Sequence, residues 1–385
     1  MKKYSKNIPE GSSDIIFENT LYIKKALEAF SRVYEDQNFE EIITPTTEYC
    51  DVFDFAGQPI PQEMMYKLTD SSGRLLVLRP DNTTPVARVV ATKLSDRHEF
   101  LKIFYNQTVF RTSGAYSGKK SETLQSGVEF IGPGGIKADI CCIETAIKIL
   151  KSTGLNFKLE IGHVGFYKSI ISEMELSDEK KETVRRYIES KNTGEINNID
   201  KKYYDIIGQI PQLFGGYEVI DKARKLSGEN QSAKEVLDYL YRLYTILDTA
   251  GHGEHIIIDL GIVHEIDYYT GLVLGGYLEG VGESVLAGGR YDNLIANFGF
   301  DLPAIGFAAN VNLIAKALEN SQKLKESPPA EILHFEPENF PAAQSYIDEK
   351  KTKEPNIKIE LSCFESLEET IKYAKKHGIK KVVEI

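Results

Sequence analysis

The chain has 385 residues, with 46 Lys and Arg against 57 Asp and Glu for a net charge of −11. An apolar content of 42% combined with this acidity excludes a disordered chain and a collagen-like chain. It also argues against a protein whose main partner is nucleic acid, because phosphate backbones require a basic surface. At about 150 residues per domain the length suggests two or three domains. No run approaches the roughly 18 apolar residues of a membrane span, and no apolar stretch follows Met1-Lys2-Lys3, so neither a membrane anchor nor a secretory leader is expected. Four cysteines, Cys50, Cys141, Cys142 and Cys363, fit a reducing compartment, so the cytoplasm is the expected location. Adjacent Cys141 and Cys142 cannot converge on one metal and read as core thiols.

In chain order, Leu21, Ile23, Ala26, Leu27, Phe30, Val33 and Tyr34 recur with helical spacing over 18–36. A short strand at 39–44 is stopped by Pro45. Strands are expected at 74–79 and 102–110, a polar loop at 112–124, and a strand at 125–131. An amphipathic helix covers Ala138 to Lys151, and a strand covers 156–162. From about 166 to 250 the pattern is helical without a convincing strand, which reads as an insertion serving as an interface or a cover. Strands return at 255–260, 269–278 and 284–287. The loop Gly288–Asp292 follows, then a helix at about 306–319. Two prolines and mixed charge mark 321–330 as a linker after a core of 1–320. Residues 331–385 alternate strand and helix as βαβαβ, implying a small parallel sheet with right-handed crossovers.

The usual nucleotide-binding motifs are missing: there is no G-x-G-x-x-G, no G-x-x-x-x-G-K-[ST] and no G-x-S-x-G. His252 and His255 stand at a strand entrance, where positions i and i+3 point apart, and no cluster has zinc spacing, so no metal and no cofactor are expected. Four segments instead concentrate polar groups among apolar strands: Arg79–Thr84, Phe110–Glu129, Glu265–Gly271 and Ala287–Asp292. Gln125, Gly127 and Glu129 alternate along one strand and share a face. A carboxylate facing inward is costly unless paired, so Glu129 alone reads as either a structural ion pair or a ligand contact. Gly288, Gly289 and Arg290 read either as a turn with a core-spanning ion pair or as part of a site. The four segments together favour a polar pocket on an antiparallel sheet.

These residues resemble the catalytic core of class II aminoacyl-tRNA synthetases of the histidyl type. Leu78-Arg79-Pro80-Asp81 with Thr83 resembles the R-P-E-x-T segment. Phe110-Arg111 and Gln125-x-Gly127-Val128-Glu129-x-x-Gly132 match motif 2, and Pro45 stands where motif 1 has its proline. Asp267–Gly271 matches a segment typical of histidyl enzymes, and Ala287–Asp292 and Ala304–Ala308 match the segments leading into motif 3. The resemblance covers about residues 8–320. It implies an α+β fold: an antiparallel sheet with flanking helices, a helical insertion, and here a small C-terminal α/β domain. It also implies that Asp81, Thr83 and Gln125 meet the ammonium of a bound histidine and that Glu129 and Tyr269 hold its imidazole.

The departures are as informative. Of the family's three arginines only Arg111 remains; His264 and Leu313 stand where the other two belong, and Ser113 and Ser121 replace further charged motif 2 positions. Fixed cations stabilise the charge of adenylate formation, and each one lost costs about 2–4 kcal/mol. The C-terminal segment 331–385 carries nine basic and eleven acidic residues, which suits an anticodon stem poorly. A kept amino-acid pocket with a vestigial ATP site is similar to the regulatory subunits of ATP phosphoribosyltransferase, first enzyme of histidine biosynthesis. That similarity implies a non-catalytic subunit that activates a short-form catalytic chain by assembly and carries inhibition by L-histidine. A homodimer within a hetero-oligomer is implied, with no tRNA and no membrane as partner. An active histidyl-tRNA synthetase and a paralogue with another ligase or binding role are the alternatives.

Overall fold

A computed structural model of the chain describes residues 6–55, 60–97, 99–112, 120–190, 201–263, 269–321, 324 and 328–385. There are two compact units, Met1–Lys323 and Leu324–Ile385. The first unit opens with α1 (Glu18–Asp36), β1 (Glu40–Glu41), β2 (Thr47–Tyr49), β3 (Lys67–Thr69), β4 (Leu75–Leu78) and α2 (Thr83–Lys93). The long strands β5 (Leu101–Phe110) and β6 (Glu122–Ile131) follow, then α3 (Ile136–Ser152) and β7 (Phe157–His163). The expected helical stretch contains α4 (Val164–Ser172), α5 (Asp178–Ser190), α6 (Lys201–Gln209), α7 (Glu218–Ser227) and α8 (Gln231–Thr249). It also holds a two-residue strand, β8 (Phe214–Gly215), too short to leave a periodic signal. The unit closes with β9 (Ile256–Asp259), β10 (Leu272–Leu278), β11 (Leu286–Arg290), β12 (Ala304–Asn310) and α9 (Val311–Ser321).

Nine of these strands form one sheet in the order β1-β5-β6-β12-β11-β10-β7-β9-β8. The run from β5 to β7 is antiparallel throughout, while β1 on β5 and β9 on β7 pair in parallel. Alternation along β6 sends its residues to opposite sides. Ser126 meets the Tyr34 hydroxyl of α1 at 3.1 Å, and Phe130 packs edge-on against Phe39. On α1 the buried residues Tyr22, Ala26, Phe30 and Tyr34 fall every fourth position, giving the helix one stripe to lay on the sheet. On the other side, Val86, Ala87 and Val90 of α2 pack with Ile103, Tyr105, Tyr269 and Tyr291 into a continuous core.

Three local expectations need correction. Ala304–Asn310 is a strand, not the start of a helix; β12 lies between β6 and β11, and its run of small and apolar residues has no alternation to betray a strand. Gly288–Arg290 lies in β11 rather than in a loop, because close packing, not a turn, demands those glycines: a Cβ on Gly288 would come within 2.2 Å of the Gly306 carbonyl oxygen. Helix α2 carries Pro85 in its first turn, where no main-chain N–H is needed. Of the paired cysteines, Cys142 is buried but Cys141 is exposed, since neighbours on a helix point about 100° apart.

The second unit contains β13 (Glu331–His334), α10 (Phe340–Lys353), β14 (Ile359–Leu361), α11 (Leu367–His377) and β15 (Lys381–Glu384). Its three strands are parallel in the order β14-β13-β15, with Ile332, Ala374 and Ile379 at the core. No described helix of the chain is long and apolar enough to cross a membrane.

Candidate functional site

A cavity of about 150 Å³ opens on the face of the sheet carrying Gln125 and Glu129. That is well below the roughly 300–1,000 Å³ of clefts for drug-sized ligands. Its space comes from missing side chains. Ala287, Gly288, Gly306 and Ala308 line it from β11 and β12, and short residues there leave room above the strands. Gly306 sits opposite Glu129 in the strand register, and a Cβ on it would come 1.8 Å from Glu129 Oε2 and 2.3 Å from the Val128 carbonyl oxygen. Gly306→Ala is therefore expected to destabilise the protein by about 3 kcal/mol and to displace the carboxylate. Urea unfolding checks this, and a variant as stable as the parent would show that both the Glu129 side chain and the β6 main chain give way freely.

Glu129 is 1% exposed, and three hydroxyls converge on it. Thr83 and Tyr105 donate to Oε1 at 2.9 and 3.3 Å, and Tyr291 donates to Oε2 at 2.5 Å. Burial pushes its pKa up to about 7, against the pull of these hydrogen bonds. No cation pairs with it among these contacts, so the structural ion-pair reading of Glu129 gives way to a hydroxyl cradle. Asp81 is the second buried carboxylate. Its Oδ1 accepts from the Thr84 N–H at 2.8 Å, capping α2, and Oδ2 accepts from the Thr84 hydroxyl at 3.2 Å. Burial raises the Asp81 pKa, and the Arg111 charge acts in the opposite sense.

Asp81, Thr83, Gln125, Glu129 and Tyr269, separated by up to 188 positions in sequence, all line this one cavity, as does Arg111. Arg111 Nε donates to the Pro80 carbonyl oxygen at 2.7 Å, and among the described residues it is the only cation on the wall. Leu313 is not part of it: it lies half-buried in the first turn of α9, its N–H donating to Asn310 Oδ1 at 3.2 Å. Ser121 is buried against Gly11, its N–H donating to the Gly11 carbonyl oxygen at 2.9 Å. His264 and Ser113 lie outside the described residues.

Two arginines of the quoted motifs turn out to hold the frame. Arg79 donates to the main-chain oxygens of Thr108, Thr44 and Pro45 at 2.8, 2.8 and 3.2 Å. Arg290 makes a buried pair with Asp139 of α3 and reaches Asp292 at 2.9 Å, which realises the ion-pair reading of that segment. Residues missed in the sequence include Tyr105, Tyr291 and Asn82. Tyr105 was findable: it lies two positions before Gln107, directly opposite Gly127, and so on the same face as Gln125 and Glu129. Tyr291 stood inside a quoted segment, but nothing in its spacing indicated a bond to Glu129.

The fold and the motif positions match known proteins. A family profile described as histidyl-tRNA synthetase matches residues 11–314. The crystal structure of histidyl-tRNA synthetase from Nostoc sp. superposes with a TM-score of 0.80 at 22% identity, over 98% of this chain and 90% of that one. The class is thus that of histidyl-type class II synthetase folds. A protein from Clostridium acetobutylicum named ATP phosphoribosyltransferase regulatory subunit is 44% identical, over 99% of this chain and 95% of the relative. One of the same name from Bacillus cereus is 38% identical over 100% and 93%. A crystal structure from Bacillus halodurans, described as an ATP phosphoribosyltransferase regulatory subunit/histidyl-tRNA synthetase, superposes with a TM-score of 0.86 at 29% identity, covering 100% of this chain and 99% of that one. The chain belongs to the family of ATP phosphoribosyltransferase regulatory subunits, proteins of histidine biosynthesis.

Proposed function

We propose that this chain performs no adenylation. It joins a short-form ATP phosphoribosyltransferase catalytic chain in the cytoplasm, activates it by assembly, and passes on inhibition when L-histidine fills the cavity. The observation that carries this reading is the charge on the cavity wall: two buried carboxylates against the one described cation, Arg111. A triphosphate requires several fixed positive groups in reach of its oxygens, whereas an amino acid with a diazole ring requires acceptors for an ammonium and for a ring N–H. Asp81 supplies an acceptor for the first and Glu129 for the second, with Tyr269 beside the ring. The names of the relatives support the partner, and the acidic C-terminal unit supports a role without tRNA.

Feedback of this kind requires histidine to bind the inhibited assembly more tightly than the active one, and a coupling of about 1–3 kcal/mol suffices. A homodimer formed around the Pro45 segment, as in synthetases of this class, is the expected building block. The test is an activity assay of the short catalytic chain, alone, with this protein, and with this protein plus L-histidine. Activation reversed by histidine is expected. Histidine-dependent ATP–pyrophosphate exchange by the purified chain would instead establish an active synthetase and overturn the proposal.

A further inference from the structure

A second cavity, of about 420 Å³, lies on the opposite side of the sheet from Glu129. Alternation along β6 places it there: Glu122 and Leu124 line this cavity, whereas Gln125 and Glu129 line the first. Thr108, directly across from Leu124 on β5, lines it too. The remaining walls come from α1, from α9 and from the segment before α1. The volume falls within the roughly 300–1,000 Å³ of small-molecule clefts. Tyr22 and Ala315 are buried, and with Ile23 and Leu124 they make an apolar floor. The rim carries charge of both signs, Lys120 and Lys316 against Asp14, Glu122 and Glu319. Lys120 is engaged by the Ser13 hydroxyl, and Glu122 Oε1 accepts from the Ser12 hydroxyl at 2.6 Å. The side chains of Asp14, Lys316 and Glu319 make no hydrogen bond and no ion pair among the described residues. Asn312, one turn before Lys316 on α9, is committed at one end only. Its Oδ1 accepts from the Leu124 N–H at 2.7 Å, and because a main-chain N–H only donates, the amide cannot be turned over. The end left over is Nδ2, which is a donor and nothing else.

Three carboxylates on the rim oppose a phosphate or any other polyanion, and two lysines oppose a bare cation. A neutral apolar molecule would cover these charges without pairing them, which is costly. A zwitterion pairs both signs. We propose that this cavity binds a zwitterion with an apolar body, the chemistry of a free α-amino acid with an apolar side chain. Asn312 Nδ2 and the Lys316 ammonium, one turn apart on the same face of α9, take its carboxylate. Asp14 and Glu319 take its ammonium. The side chain lies over Tyr22, Ile23 and Leu124. The site shares no lining residue with the cavity at Glu129, so the inference stands whatever fills that one.

Calorimetric titration of the full chain with L-phenylalanine tests it, beside hydrocinnamate, which lacks the ammonium, and phenethylamine, which lacks the carboxylate. L-phenylalanine is expected to bind, and each truncated probe to bind about fivefold or more weakly. Lys316→Glu removes the cation for the carboxylate and should weaken L-phenylalanine by a similar factor, while phenethylamine binds unchanged or more tightly. Asp14→Asn should weaken L-phenylalanine and spare hydrocinnamate. Both side chains are exposed, so neither substitution threatens the fold. No binding of L-phenylalanine at millimolar concentration overturns the inference. Equal binding of all three probes overturns it as well, since charge of both signs is then not being read. Unchanged L-phenylalanine binding to Lys316→Glu also overturns it, because the probe is then held elsewhere on the chain.

Discussion

Glu129→Gln is expected to raise the melting temperature at pH 8, leave it nearly unchanged at pH 4, and weaken L-histidine by about 10–100-fold. The stability effect follows from the carboxyl pKa, raised from an ordinary 4.5 to about 7 by burial. The folded state holds this proton more tightly than the unfolded chain does. Between pH 4.5 and 7 it therefore binds more protons, and stability falls as the pH rises through that window. Above pH 7 the full cost remains, on the order of 3 kcal/mol for such a shift. Glutamine keeps the shape and removes the charge, and the Tyr291 hydroxyl can turn to accept from its NH2 group. The affinity effect follows from losing a hydrogen bond to a charged acceptor, which contributes about 1.5–3 kcal/mol. Thermal melts at both pH values and calorimetry with L-histidine decide the matter. A variant less stable at pH 8 would mean that the three hydroxyls over-compensate burial, and unchanged affinity would remove Glu129 from the imidazole site.

Arg290→Met should cost about 3–5 kcal/mol, because it strands Asp139 as an uncompensated carboxylate within the protein. Asp139 is 2% exposed, and its remaining partner is the Tyr239 hydroxyl of α8. Burial lifts its carboxyl above the ordinary range, and Arg290 is the charge acting against that. Asp292, the other partner, is exposed enough to lose Arg290 cheaply. Adding Asp139→Asn to Arg290→Met is therefore expected to recover most of the loss, since the buried charge goes with its partner. The pair also anchors the end of β11. The Thr270 N–H donates to the Arg290 carbonyl oxygen at 2.7 Å, and Tyr291, which donates to Glu129, is the next residue. Weaker histidine binding should accompany the instability. Urea unfolding of the two single variants and the double variant measures the coupling. A double variant no more stable than Arg290→Met alone would show that charge burial is not the cause.

Much of the fold was legible because local pattern and tertiary role agreed. On α1, Tyr22, Ala26, Phe30 and Tyr34 carry the period of a helix and are the residues it buries. On β6, Gln125, Gly127 and Glu129 alternate and do face one way. The pattern failed where burial is two-sided. Residues 304–307 are buried on both faces of the sheet, so nothing in their hydropathy separates strand from helix.

The sequence by itself determined the class of this protein and the positions at which it departs from the synthetase motifs, because residue type and order are enough for those. Only the tertiary structure decided what each group does. It showed that Arg79 and Arg290 hold the frame, that hydroxyls rather than a cation surround Glu129, and that the Gln125 side-chain oxygen accepts from Asn82. Those outcomes depend on which atoms meet across strands far apart in the chain, and an amide or a carboxylate takes its sense and its charge from such neighbours, not from its place in a motif.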